Sequence, residues 1–202
     1  MGMGEPLHNL SNVLAAIERM AHPALGNLGW RHITVSTVGI VPAMDELATA
    51  PLPVYLALSL HAPDDATRSK IVPMNRRWNV ADVMAAARRF EAITGRTPNI
   101  EYCLLEGLND SDEQARMLAR LMEGFRAHVN LIPHNWIGAG LRGVEYRKPP
   151  VQRIIRFAQI LRDSGVVTHV RVTRGDDVAA ACGQLRQNSA AILAEAESPA
   201  LP

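Results

Sequence analysis

The chain has little cysteine, almost no net charge and no long apolar run. Two cysteines in 202 residues exclude a disulfide-stapled scaffold and a self-contained multi-cysteine metal site, and such sparse usage predicts a cytoplasmic protein. A formal net charge of +1 lacks the large basic excess of a strong polyanion binder. No stretch reaches the length of apolar sequence that a membrane span requires, so no membrane partner is expected. The opening "MGMGEPLHNL" has no basic region followed by an apolar core, so no signal peptide is expected. Pro6 occupies the place where a myristoylation signal needs Ser or Thr. No G-x-G-x-x-G follows a strand, so the dinucleotide-binding fingerprint is missing as well.

What is present is a regular alternation. Helical spacing marks "LSNVLAAIERMA", "AMDELA", "DDATRSKIV", "NVADVMAAARRFEAITG", "SDEQARMLARLMEG" and "PPVQRIIRFAQILRDSG". Asn79 and Ser111 are suited to cap helices, and Gly95 to end one. Between the helices lie β-branched or apolar runs: "RHITVSTVG", "PVYLALSLH", "NIEYCLLEG", "AHVNLIPHN" and "VVTHVRVTRG". Alternation of this kind predicts an α/β fold with a mostly parallel sheet and right-handed connections. Polar residues gather at the strand ends: Glu5, Ser36, Ser59, His61, Glu106, Asn135 and Thr173. In a barrel those ends line one mouth, where chemistry is done, so a (βα) barrel is favoured over an open doubly wound sheet. Its first strand and helix are expected to be missing, because the chain opens at what reads as a strand end. Residues 1–185 are read as this truncated barrel with a C-terminal segment, and 186–202 as a flexible tail.

Several stretches are candidates for chemistry. "GMGEP" offers glycines for close approach of a ligand and a carboxylate, Glu5, for an ammonium group. "SLH", Ser59 to His61, ends a buried strand with two hydrogen-bonding side chains, which could equally cap the next helix. In "TRGDDVAAACGQL", Cys182 precedes a glycine in a polar loop, the setting of an exposed nucleophilic thiol. Cys103, inside a strand, is expected in the core. Arg68, Lys70, Arg76 and Arg77 form one basic group, and Arg142, Arg147, Lys148, Arg171 and Arg174 a second. Both read as solvated surface or as phosphate contacts, with Trp78 and Trp136 available to stack on bases.

Taken in order, "GMGEP", "ITVSTVGIVP", "LALSLHAP", "IVPMNRR", "IEYCLLEGLND", "VNLIPHN" and "TRGDDVAAACGQL" resemble the RlmN/Cfr-type radical S-adenosylmethionine RNA methyltransferases. The resemblance runs from Met1 to about Leu185. It implies a partial TIM-like radical-SAM barrel with S-adenosylmethionine at its mouth, and methylation of C2 of an adenine in 23S rRNA and in some members tRNA. By the family's motifs Gly4 and Glu5 would hold the methionine end of the cofactor. Ser36 and Ser59-Leu60-His61 would line its site, with Asn135 near the other end. Cys182 would carry the methyl as an S-methylcysteine intermediate before its transfer to the base. A flavodoxin-like electron donor would serve the whole enzyme. The family's C-x-x-x-C-x-x-C loop, which binds a [4Fe–4S] cluster, has no counterpart in this chain. No metal ligands are therefore assigned here, and the chain alone is expected to be inactive. Two other readings stand beside this one: a catalytically dead barrel remnant that binds RNA or a nucleoside, and a polar-chemistry TIM-barrel enzyme using Glu5, His61 and Glu106.

Overall fold

A computed structural model describes residues 4–135 and 145–171. Among the described residues there are five strands: β1 (Thr34–Thr37), β2 (Tyr55–Ser59), β3 (Asn99–Leu104), β4 (His128–Pro133) and β5 (Thr168–Val170). They form one parallel sheet in the order of the sequence. Sequential order with a helix in every crossover is the winding of a barrel, since a doubly wound sheet reverses its strand order partway. The helices are α1 (Leu10–Ala21), α2 (Val41–Thr49), α3 (Asp65–Ile71), α4 (Val80–Thr94), α5 (Asp112–Met122) and α6 (Val151–Asp163).

Local chemistry sets the boundaries. The side chain of Asn79 accepts from Asp82 N, and Asp82 reaches back to Asn79 N, so α4 begins with a complete capping box. It ends at Gly95, whose φ of 66° suits a residue without a side chain. Ser111 caps α5 by accepting from Gln114 N. Neither Ser59 nor His61 caps α3; Asp64 does, accepting from Thr67 N at 2.7 Å. Gly39 turns the chain from β1 into α2 with φ +103°, and a Cβ there would lie 2.5 Å from Val83 of α4.

The two faces of the sheet differ in kind. Val35, Leu56, Leu58, Ile100, Tyr102, Leu104, Val129 and Leu131 join one apolar cluster with α2, α4, α5 and α6. Strand side chains alternate, so Ser36, Ser59, Glu101, Cys103, Asn130 and His169 share the opposite face. Cys103 departs from its sequence expectation for this reason. It is half-buried and outside the apolar cluster, because its parity within β3 is that of Glu101 and not that of Tyr102 and Leu104.

Arg68 departs further. Sequence reasoning put it among surface cations, yet its exposure is 0%. Its guanidinium donates to the carbonyls of Leu60 (3.0 Å), Ser59 (3.3 Å), Val38 (2.6 Å) and Trp78 (3.4 Å), and to Asn75 Oδ1 (2.9 Å). Burial lowers its pKa to about 10, with Asp65 opposing, so it stays charged at neutral pH. A charge is tolerated in a core only when hydrogen-bonded in this way. Its basic neighbours Arg76 and Arg77 are exposed, the latter stacked 4.6 Å over Trp78.

Replacing Arg68 by Met should destabilise the fold by roughly 3–5 kcal/mol, since several buried acceptors lose their donor. Arg77→Met should stay within about 0.5 kcal/mol, as an exposed substitution does. Urea unfolding followed by circular dichroism compares the two.

Candidate functional site

The C-terminal ends of β1, β2 and β3 are tied together by side chains. Glu5 lies just before a 3-10 turn at Pro6–Asn9, and its side chain caps that turn by accepting from Leu7 N at 3.1 Å. The same oxygen accepts from Thr37 Oγ1 at 2.7 Å, and the other accepts from Val38 N at 2.9 Å. Glu5 therefore sits against the end of β1, and both of its oxygens already serve the fold. Val38 then bonds in two directions: its N–H goes to Glu5 and its carbonyl to Arg68. Gly4 is exposed beside it.

Ser59 is buried at the last position of β2, on the face opposite the apolar cluster, and Ser36 is half-buried on β1. Ser36 pairs with Ala57, two residues before Ser59. Leu60 differs from its neighbours. Its side chain is fully buried among the core residues, so only its backbone is available to a ligand, and that backbone is bonded to Glu101 O and Arg68.

His61 follows in the left-handed region, φ 60°, where side-chain-bearing residues are uncommon. Three bonds hold it there. Its N–H donates to Glu101 O, its carbonyl accepts from Asn109 Nδ2 at 2.7 Å, and its ring Nδ1 accepts from Cys103 N at 3.0 Å. An accepting Nδ1 fixes the neutral tautomer with the proton on Nε2. Burial, with the nearby Arg68 charge, lowers its pKa to about 4. His61 is thus a fixed, neutral hydrogen-bond donor at the mouth.

Four contributors escaped the sequence reading. Asn109 is fully buried and bridges His61 O and Cys103 O with Nδ2, while its Oδ1 accepts from Leu105 N. The "ND" of "EGLND" was visible, but Asn in a turn ordinarily serves the turn alone. His134 lies 4.0 Å from Cys103 Sγ and edge-on to Tyr146, with its pKa lowered by burial. Glu101 is 6% exposed and accepts from Asn130 Nδ2 at 2.8 Å; alternation within "NIEY" was its only signal. Arg68 is the fourth.

Asn135 is half-buried, two residues beyond the end of β4. Glu106 is exposed. Cys182, Thr173 and the tail 186–202 lie outside the described residues. Burial pushes the Cys103 thiol up to about 11, which makes it a poor thiolate nucleophile or metal ligand at neutral pH. Among the described residues no group of three His, Cys, Asp or Glu side chains could hold a metal ion. No described helix is long and apolar enough to cross a membrane.

Comparison with known proteins is consistent with this architecture. Residues 1–119 match the family model of the Radical SAM superfamily. The chain is 54% identical over 186 residues to the "Probable dual-specificity RNA methyltransferase RlmN 1" of Opitutus terrae, covering 92% of this chain and 52% of that protein. It is 49% identical to the RlmN of Symbiobacterium thermophilum, over 94% of this chain and 50% of the relative. The chain therefore spans about half the length of the curated relatives it matches. Among solved structures, a radical SAM methyltransferase from Sphaerobacter thermophilus superposes with a TM-score of 0.86 at 48% identity, over 91% of this chain and 53% of the other. A domain of a pyruvate-formate lyase-activating enzyme from Bacteroides vulgatus superposes with a TM-score of 0.64 at 18% identity, over 84% of this chain and 96% of the other. That second similarity concerns the fold alone.

His61 gives a pH signature. Its folded pKa lies below the usual 6.5, so between about 6.5 and 4 the unfolded chain binds the extra proton. Its contribution to stability is complete above 6.5 and is lost as pH falls toward 4. His61→Asn keeps an acceptor for Cys103 N and tolerates positive φ but does not titrate. Thermal melts should show wild type losing more stability than His61→Asn between pH 6.5 and 4.

Proposed function

The chain belongs to the radical SAM superfamily, and from that membership we propose that it is the C-terminal portion of a radical SAM adenine-C2 RNA methyltransferase of the RlmN type. In this reading residues 1–185 are the barrel portion, and 23S rRNA, with tRNA as a second substrate, is methylated. The observation that carries the reading is the polar sheet face ending in Ser36, Ser59 and His61. The opposite face is dominated by apolar side chains that join the helices in the core, so the polar residues are not needed to build it. Sequence identity near one half with RlmN proteins supports the assignment.

The residues suit S-adenosylmethionine by their donors and acceptors. Ser36 and Ser59 offer hydroxyls from the polar face, and His61 offers a neutral Nε2–H that needs no proton rearrangement when a ligand arrives. Gly4 leaves open space, since a Cβ there would meet nothing within 4 Å. Glu5, Asn135 and the backbone of Leu60 complete the set. The role of Glu5 is shared: one carboxylate both clamps β1 and faces the methionine ammonium with its remaining lone pairs. S-adenosylmethionine, when bound, supplies the methyl group. Cys182 would serve as the acceptor of that methyl group, its thiol giving up its proton to solvent. Among the described residues, no side-chain group fits a [4Fe–4S] cluster.

The test joins this chain to the N-terminal half of the Opitutus terrae relative and measures methyl incorporation into an RNA fragment containing the target adenine. Cys182→Ala should reduce incorporation to background while S-adenosylmethionine binding stays within about twofold, because alanine keeps the small side chain and removes only the methyl carrier. Methylation by Cys182→Ala would refute the relay through that cysteine.

A further inference from the structure

The basic stretch "RSKIVPMNRRW" has no part in the cofactor site. Arg68 is buried in it, whereas Lys70, Arg76 and Arg77 are exposed. These three lie on α3 and on a 3-10 turn, Pro73–Arg76, in the segment between β2 and α4. Arg68 fixes where that segment sits. The guanidinium that bonds the carbonyls of Val38 and Ser59 also bonds Asn75 Oδ1 and the carbonyl of Trp78. The exposed cations are therefore carried beside the C-terminal ends of β1 and β2, at the mouth. Their backbone is held from within. Asn75 donates to Asp65 Oδ1 at 3.0 Å and to Ser69 Oγ at 2.9 Å, and Arg77 N and Trp78 N both donate to Met74 O.

No local carboxylate is left to neutralise these cations. Residues 64–82 contain three acids, and each already serves the fold. Asp64 caps α3, Asp65 accepts from Asn75 and from Val80 N, and Asp82 completes the capping box of α4. Among the described residues the ion pairs are made by Arg89, Arg116, Arg126, Arg153 and Arg156, and none by Lys70, Arg76 or Arg77. A chain of near-neutral net charge thus gathers three unpaired cations at one rim. Charge alone would suit any polyanion. The second feature is narrower: the Arg77 guanidinium lies 4.6 Å over the ring of Trp78, which is half-buried against the core. A planar cation held on an indole is a platform for another flat ring, and unpaired bases stack on arginine planes and aromatic faces.

We propose that this rim docks single-stranded RNA, with an unpaired base stacked on the Arg77–Trp78 pair and neighbouring phosphates held by Arg76 and Lys70. The proposal rests on the RNA methyltransferase reading for the class of nucleic acid, and it adds a surface outside the cofactor site. Arg68 then has two products: it shapes the strand ends, and it fixes the platform that brings the strand to them.

The experiment measures fluorescence anisotropy of this chain with a labelled RNA hexamer and with the same hexamer carrying abasic riboses, over a range of salt, with polyglutamate as competitor. Wild type should bind the hexamer about tenfold more tightly than its abasic form, since each stacked base adds to affinity. Arg77→Lys keeps the charge and loses the planar stack. It should weaken hexamer binding about fivefold and change abasic binding less than twofold. Lys70→Gln with Arg76→Gln should weaken both and lower the salt slope by about 1.4, the share of two phosphate contacts on a single strand. Arg89→Gln, which removes an equal charge from the far side of α4, should change neither by more than twofold. Wild type that binds neither RNA, or both equally, overturns the proposal. So does Arg77→Lys with the wild-type preference, or polyglutamate that displaces the hexamer at equal charge, which would mark a surface for acidic protein. The function reading is judged separately, by methylation in the protein joined to the Opitutus terrae half. Methylation there with an unchanged KM in Arg77→Lys sinks this surface and leaves that reading standing.

Discussion

A single buried cation holds the working end of this sheet. Arg68 reaches from α3 to the carbonyls of Val38, Ser59 and Leu60, which belong to the turns leaving β1 and β2. Parallel strands end in carbonyls that their own ladder does not consume, and a planar guanidinium can serve several of them at once. Once Arg68 is in place, Val38 presents its N–H to Glu5, and the chain leaving Ser59 is directed into the left-handed turn at His61. Asn109 closes the next junction, between β2 and β3, by bonding His61 O and Cys103 O. The mouth is therefore a fixed arrangement of backbone before any ligand arrives, which is the kind of preorganisation that binding and catalysis reward.

The sheet divides two tasks between its faces. One face and the helices supply stability through close-packed apolar side chains. The other presents hydroxyl, amide, imidazole and carboxylate groups at successive levels, with Ser59, Glu101, Asn130 and His169 in one row. Polar groups are costly in a core, so their concentration on one side has a functional reading, and neutral His61 fits it. Held by Cys103 N at Nδ1 and flanked by Arg68, its ring keeps one tautomer through the physiological range.

The order of strands and helices was legible because it is written in periodicity. The caps at Asn79 and Ser111 and the stop at Gly95 stand where the sequence placed them. The position of Ser59 at the end of β2, with His61 just beyond it, was legible from motif and alternation, whereas Glu5, expected at a strand end, caps a 3-10 turn beside β1. Arg68 was not. A cation in "RSKIVPMNRR" looks like its exposed neighbours, and its burial depends on carbonyls eight and thirty residues away. Cys103 was misplaced because apolar letters surround it, and only its parity relative to Tyr102 reveals the polar face. Asn109 and Glu101 escaped for a similar reason: their partners lie on other strands, and a single sequence carries no record of register. The sharpest motif, around Cys182, lies outside the described residues.

The central claim is that the polar face, and not the helix-covered surface, receives the adenosyl ligand. Backbone amide chemical shifts recorded while S-adenosylmethionine is titrated into this chain test it most directly. The account predicts graded shifts at Val38, Ser59, His61, Cys103 and Asn130, with α5 and the outer surface of α6 unmoved. Shifts confined to those helices, or none at saturating ligand, would contradict it.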